Sequence, residues 1–351
     1  MTGAREASGT RARSTPVSDG TGFGLSSGGS VLADSLAPRL AEVEQRLNEA
    51  VAHTDELADS VSRHLVDAGG KRVRPILTLL AAHLGDADRP EVLDAAVVVE
   101  LTHLATLYHD DVMDSAPTRR GAPTVHALWG NSVAILTGDL LFARASRVVA
   151  GLGPQAVRIQ AATFERLCLG QLHETVGPRP GEDPVEHYLG VLADKTGSLI
   201  ATSGRFGAMF AGCSREVTDV LVSYGERVGV AFQLADDVLD LTADPSSTGK
   251  AAGTDLREQV PTMPVLLARR AAAEGDRDAA EVVALVDGDL SDDAVLTEAV
   301  HRLRAHDATE RTRVLAQRWA HDAVVSLRGL PEGEVRDALA QFAGTVADRT
   351  A

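Results

Sequence analysis

Val97-Val98-Val99-Glu100-Leu101-Thr102-His103-Leu104-Ala105-Thr106-Leu107-Tyr108-His109-Asp110-Asp111-Val112-Met113-Asp114 is the stretch on which the reading of the chain turns. Apolar side chains dominate as far as Leu107, and the run then ends on aspartates at positions i, i+1 and i+4. On an α-helix each residue advances about 100°, so residues four apart differ by about 40°, and Asp110 and Asp114 share a face. Two like charges on one face repel. The same pattern returns in Gln233-Leu234-Ala235-Asp236-Asp237-Val238-Leu239-Asp240, again closing an apolar helical segment. One acidic cluster at a helix end is as readily a solvated terminus as a site; two of them are harder to dismiss. Carboxylates crowded on apolar helices are costly without compensating cations. An all-oxygen set suits Mg²⁺, which keeps waters and shares substrate phosphates. Asp110, Asp111, Asp114, Asp236, Asp237 and Asp240 are therefore the expected metal residues.

Outward from these segments, apolar residues recur at three- and four-residue spacing from Val31 onward, between short Gly, Pro or Asp breaks. The pattern predicts an all-α bundle with helices over 31–52, 54–67, 72–85, 90–114, 124–151, 154–176, 184–212 and 215–243, and shorter ones from 262 to the C-terminus. No strand alternation stands out, and aromatics make up 3% of residues, against what most sheets prefer. Residues 1–30 are rich in Gly, Ser, Thr and Arg without apolar periodicity and read as a disordered tail ahead of a helical domain over 31–351. A targeting peptide fits them poorly, since an apolar h-region is absent and Glu6 and Asp19 intervene.

Eighteen apolar residues never run together, so the sequence predicts no membrane span. A net charge of −16 argues against a nucleic-acid surface and against electrostatic attachment to anionic lipid. Cys168 and Cys213, the two cysteines, lie in apolar helical contexts that predict buried thiols in a reducing compartment. Lysine is the informative residue. Of 34 basic residues three are lysines, Lys71, Lys195 and Lys250. Gly69-Gly70-Lys71-Arg72-Val73-Arg74-Pro75 opens a helix and puts Lys71 and Arg74 on one face, where the helix start itself favours an anion. Thr118-Arg119-Arg120-Gly121 follows the first aspartate cluster, Lys195-Thr196-Gly197 interrupts an apolar helix, and Lys250 sits in the Gly249 to Gly253 loop after the second cluster. Metal-binding acids beside cations that face phosphate describe a diphosphate site. No Walker loop, Gly-x-Gly-x-x-Gly turn or nucleophile elbow points to nucleotide or acyl chemistry.

With these motifs assembled, the chain resembles the trans-type polyprenyl diphosphate synthases over roughly residues 60–265. Gly69 to Pro75, His103, Asp110 to Asp114, Arg119-Arg120-Gly121, Gly138-Asp139, Lys195-Thr196-Gly197, Phe232-Gln233, Asp236 to Asp240 and Gly249-Lys250 through Asp255 appear in the family's order. The resemblance implies a single-domain helical bundle around a central catalytic cavity, acting as a cytoplasmic homodimer without stable membrane insertion. It implies catalysis by Asp110, Asp114, Asp236, Lys195 and Arg119 with about three Mg²⁺ ions per site once substrate is bound. Arg119, Lys195, Thr196, Gln233 and Lys250 would bind an allylic diphosphate. Lys71, Arg74, His103 and Arg120 would bind isopentenyl diphosphate without metal. One departure stands out: Gln259-Val260 precede Pro261-Thr262-Met263-Pro264 where many short-chain members carry a second Gly-Lys, and Arg257 is the expected replacement contact.

In the family the growing tail runs beside the helix that ends in Asp110, so Ala105, Thr106, Leu101 and Thr102 are the expected chain-length residues. Short-chain members commonly carry an aromatic residue five before the first Asp, where this chain has Ala105. The expected product is therefore hepta- to decaprenyl diphosphate, as used for a quinone side chain. A geranylgeranyl diphosphate synthase is the nearest alternative. A class I terpene cyclase would not need Lys71, Arg74 and His103, and a non-catalytic subunit of a heteromeric synthase would not need both aspartate clusters.

Overall fold

The computed structural model describes residues 31–242 and 252–348. The expected tail over 1–30 and Lys250 lie outside the described residues. The chain runs through α1 (Val31–Val51), α2 (Glu56–Asp67), α3 (Val73–Ala82), α4 (Pro90–Met113), α5 (Val125–Trp129), α6 (Asn131–Gly151), α7 (Pro154–Val176) and α8 (Pro184–Leu192). It continues with α9 (Ser198–Phe210), α10 (Arg215–Thr242), α11 (Thr254–Arg257), α12 (Met263–Ala273), α13 (Arg277–Val286), α14 (Asp293–Ala305), α15 (Asp307–Ser326) and α16 (Glu334–Asp348). The all-α expectation holds. Among the described residues the sole ladder pairs β1 (Thr118–Arg119) with β2 (Ala122–Pro123), antiparallel. Its turn residues Arg120 and Gly121 both have positive φ, as a two-residue hairpin turn requires.

Local chemistry sets the helix ends. Asp55 and Asp183 cap α2 and α8 by accepting from Ala58 N at 2.9 Å and Val185 N at 2.8 Å. The helix expected over 124–151 is two helices, because Gly130 at φ 85° breaks it between α5 and α6. Over 184–212 the chain stays helical, but Ala193–Gly197 form a π-helical turn between α8 and α9.

α4 is apolar on nearly every side and lies at the centre, against α1, α3, α6 and α9. α10 is the second central helix, packed on α9 and α15. Gly229 of α10 makes the close approach possible: a Cβ there would meet Gly197 Cα at 2.6 Å. Tyr108 ties α4 to α2, donating to Val61 O at 2.6 Å and accepting from Leu65 N at 3.2 Å. Removing its hydroxyl would leave buried groups unpaired, at about 1–3 kcal/mol. The two aspartate clusters thus end the two innermost helices. The expectation of buried thiols fails for Cys168, which is exposed, and Cys213 is half-buried. Cys168 follows the buried Leu167 on α7 and so turns to the helix's outer face.

Candidate active site

Two adjoining chambers open between α4 and α10. The first has a volume of about 450 Å³ and is bordered by Lys71, Arg74, His103, Thr106, Asp110 and Arg120, among others. The second, of about 520 Å³, is bordered by Asp114, Glu174, Tyr188, Asp237, Asp240, Asp255 and Glu258. Arg119, Lys195, Thr196, Gln233 and Asp236 line both. The first chamber is cationic and the second acidic.

The cationic chamber is built by the loop before α3. Gly70 has φ 156°, and a Cβ there would lie 2.9 Å from the Arg120 guanidinium carbon, so only glycine lets this arginine lie against the loop. Arg120 donates to Leu65 O at 3.1 Å and also to Gly69 O. The Arg74 Nε is buried without a hydrogen-bond partner. Burial outweighs the pull of Glu100 and, with Arg120 close by, lowers the Arg74 pKa to about 10. Burial, then the charges of Arg74 and Arg120, hold His103 well below its ordinary value, so it is neutral at pH 7. Cations crowded in this way would bind a diphosphate through charge-assisted hydrogen bonds.

At the ends of α4 and α10 the two aspartate clusters differ behind their common spacing. Burial, opposed by Lys195 and reinforced by Asp114, raises Asp110 to about 6. Asp114, at the exposed end of the helix, is also raised by burial. Asp111 is buried; its Oδ1 accepts from Arg119 Nε at 2.6 Å while its Oδ2 has no partner. In the second cluster Asp237 accepts from Tyr188 Oη at 3.0 Å and from Met263 N at 3.0 Å. Burial, against these two bonds and with Asp255 nearby, raises it to about 8. Asp240 accepts from Thr254 N at 3.2 Å and Asp255 N at 3.3 Å. Asp237 and Asp240 thereby fasten the segment from Thr254 to Met263 onto α10, leaving Asp236 as the member of its cluster that lines both chambers.

Among the described residues no three acidic, histidine or cysteine side chains converge into a ready metal cage. The orphaned Asp111 oxygen and the raised carboxyls of Asp110 and Asp114 mark acids short of a cation. Asp110, Asp114 and Asp236 would hold the ions, all with oxygen donors.

Lys195 and Thr196 stand on the π-helical turn, a device that often marks functional sites. Lys195 forms an ion pair with Glu174 of α7. Glu174 is a site residue that sequence reasoning missed, as are Tyr188 and Glu100. Glu100 had a signal, a lone charge inside an apolar run, whereas Glu174 had none. Of the expected chain-length residues, Thr106 lines the cationic chamber. Ala105, Leu101 and Thr102 are fully enclosed behind it, with Thr102 Oγ1 bonded to Val98 O at 2.8 Å. Arg257, the expected replacement contact, donates Nη2 to Asp293 Oδ1 at 2.5 Å and borders neither chamber.

The sequence profile of the polyprenyl synthetase family matches residues 55–303. The chain belongs to the polyprenyl synthetase family. Among members of the family, the nonaprenyl diphosphate synthase of Mycobacterium tuberculosis is 46% identical over 318 residues, covering 90% of this chain and 94% of that protein. A solved geranylgeranyl pyrophosphate synthase from Corynebacterium glutamicum, complexed with calcium and isoprenyl diphosphate, is 40% identical with a TM-score of 0.81. The match covers 92% of this chain and 98% of that one. A decaprenyl diphosphate synthase from Rhodobacter capsulatus matches with a TM-score of 0.81 at 33% identity, over 91% of this chain and 98% of its own.

Proposed function

We propose that this polyprenyl synthetase is a cytoplasmic, Mg²⁺-dependent prenyltransferase that adds isopentenyl diphosphate repeatedly, in trans, to an allylic diphosphate and releases a hepta- to decaprenyl diphosphate for a quinone side chain. The observation that carries this reading is the junction of a cationic chamber and an acidic one at Arg119, Lys195, Thr196, Gln233 and Asp236.

Lys71, Arg74 and Arg120 hold the diphosphate of isopentenyl diphosphate with fixed charge, and His103 adds a hydrogen bond. The allylic diphosphate lies at the junction, with Lys195 released from Glu174 onto its oxygens. Bound Mg²⁺ would neutralise charge that builds up on the leaving diphosphate. Arg119, held by Asp111, and the released Lys195 do the same from the protein side and so favour the transition state over the ground state. The allylic C–O bond breaks with its electron pair going to diphosphate. The double bond of isopentenyl diphosphate attacks the resulting allylic carbocation, and a proton leaves to a diphosphate oxygen, regenerating an allylic diphosphate one unit longer. No protein nucleophile is required.

The exposed apolar residues Ile135 and Leu136 of α6 and Leu169, Leu172 and Val176 of α7 support a homodimer through this face. Among the described residues no helix is long and apolar enough to cross a membrane.

The purified protein with isopentenyl and farnesyl diphosphates decides the function. Mg²⁺-dependent release of diphosphate with products of 35 to 50 carbons is expected on the proposed chain lengths. Release of no diphosphate supports a non-catalytic subunit, and a product that stops at geranylgeranyl supports the short-chain reading. Thr106→Phe, which fills the chamber wall, shortens the product, and Ala105→Phe does so if the tail displaces the core behind Thr106. Unchanged chain length in both variants removes this helix as the determinant.

A further inference from the structure

Two arginines outside the assigned substrate contacts make the same set of bonds. Arg72 donates Nε to Glu44 Oε1 at 2.5 Å, Nη2 to Glu44 Oε2 at 3.2 Å, Nη1 to Glu100 Oε1 at 2.9 Å and Nη2 to Val66 O at 3.3 Å. Arg166 donates Nη1 and Nη2 to Glu226 at 2.5 and 3.1 Å, Nε to Asp194 Oδ1 at 2.7 Å and Nη2 to Ala193 O at 3.3 Å. Each is bidentate with one glutamate, bonded singly to a second acid, and closed onto one backbone carbonyl. Such forks fix geometry as well as charge.

What each fork fixes differs. Arg72 stands between Lys71 and Arg74 and holds φ 48°, a left-handed conformation that a non-glycine residue keeps only when its surroundings impose it. Its side chain is 3% exposed, with Glu100 at 2%. The fork ties the loop to α1 through Glu44 and to α4 through Glu100. Arg166, on α7, grips Asp194 and Ala193, two residues of the π-helical turn that carries Lys195 and Thr196, and ties that turn to α10 through Glu226. A π-turn is an irregular piece of helix, and this one meets α7 and α10 at the point where its lysine must face the junction.

We propose that Arg72 and Arg166 are positioning residues, each bracing the cations of one diphosphate site: Arg72 those for isopentenyl diphosphate, Arg166 those for the allylic diphosphate. The inference rests on the assignment of the two chambers given above. Both arginines act through the residues they hold, so damage to one brace reaches one substrate and not the other.

The test is steady-state kinetics of the full-length enzyme with each substrate varied in turn. Arg72→Lys and the milder Glu44→Gln raise KM for isopentenyl diphosphate about tenfold, as loss of an orienting partner does at other sites, with KM for farnesyl diphosphate within about twofold. Arg166→Lys and Asp194→Asn reverse the pattern. Lys71→Ala and Lys195→Ala serve as controls on direct contact. Equal rises in both KM values, or no rise in either while the controls respond, overturn the bracing roles. Controls that leave both KM values unchanged overturn the chamber assignment itself. Glu44→Gln and Asp194→Asn leave each arginine in place, so the contrast survives if the arginine variants fail to fold.

Discussion

The cationic chamber meets its ligand with Lys71, Arg74 and Arg120, whereas the acidic chamber sets Asp114, Glu174, Asp236 and Asp255 against the shared Arg119 and Lys195 and would take further positive charge from a metal. Both would receive a diphosphate. A diphosphate that must only be held is served by arginine and lysine, which bind it without a metal. One that must leave needs charge concentrated where the C–O bond breaks, and a metal held by carboxylates supplies it. On the proposed function, the departing allylic group belongs to the acidic side and the attacking isopentenyl group to the cationic side. That division predicts that the chambers fail separately.

The largest expected effect comes from removing a metal-holding acid. Asp110→Asn should lower kcat by about 10³-fold, the scale seen when a group stabilising transition-state charge is lost, with KM for isopentenyl diphosphate little changed. A variant that keeps kcat within about tenfold would remove Asp110 from the metal role. Next is the cationic side: Lys71→Ala should raise KM for isopentenyl diphosphate about 10- to 100-fold, the worth of a charged hydrogen bond, and leave half-saturating Mg²⁺ unchanged. A shift in the Mg²⁺ dependence would show that the chambers are not independent.

The smallest effect sharpens the comparison through pH. His103 is held well below its ordinary value by burial and its arginine neighbours. Above about pH 6.5 the folded and unfolded states both carry it neutral, so it costs nothing there. As pH falls below that value the unfolded chain binds a proton that the fold refuses, and stability drops. His103→Gln should therefore raise Tm at pH 5 by a few degrees relative to the unaltered protein and leave it unchanged at pH 8. Saturating isopentenyl diphosphate should shrink the pH 5 difference, because the bound anion admits the proton. An equal Tm change at both pH values would mean that His103 matters for packing alone.

The helices and their central cluster ends were legible because their signal is periodic and local: α4 ends within a residue of where the apolar spacing of the sequence stops. The break at Gly130 was missed because one glycine inside an apolar run does not declare its φ. The acids of both motifs were legible by repetition. What those acids do behind the spacing was not. Asp237 and Asp240 hold a returning segment from Thr254 to Met263, a contact that depends on where the chain comes back in space. Glu174 is brought to Lys195 by packing of α7 against the π-helical turn, across 21 residues of sequence. Arg257 pairs with Asp293, on α14, and borders neither chamber, a placement set by where the chain returns in space.

Calorimetric titration of isopentenyl diphosphate, and separately of a non-hydrolysable farnesyl thiodiphosphate, with Mg²⁺ and then in excess EDTA tests the division of labour between the chambers most directly. An unchanged Kd for isopentenyl diphosphate in EDTA and loss of farnesyl thiodiphosphate binding are expected. Isopentenyl diphosphate binding that vanishes with the metal, or farnesyl thiodiphosphate binding that survives without it, would contradict the account.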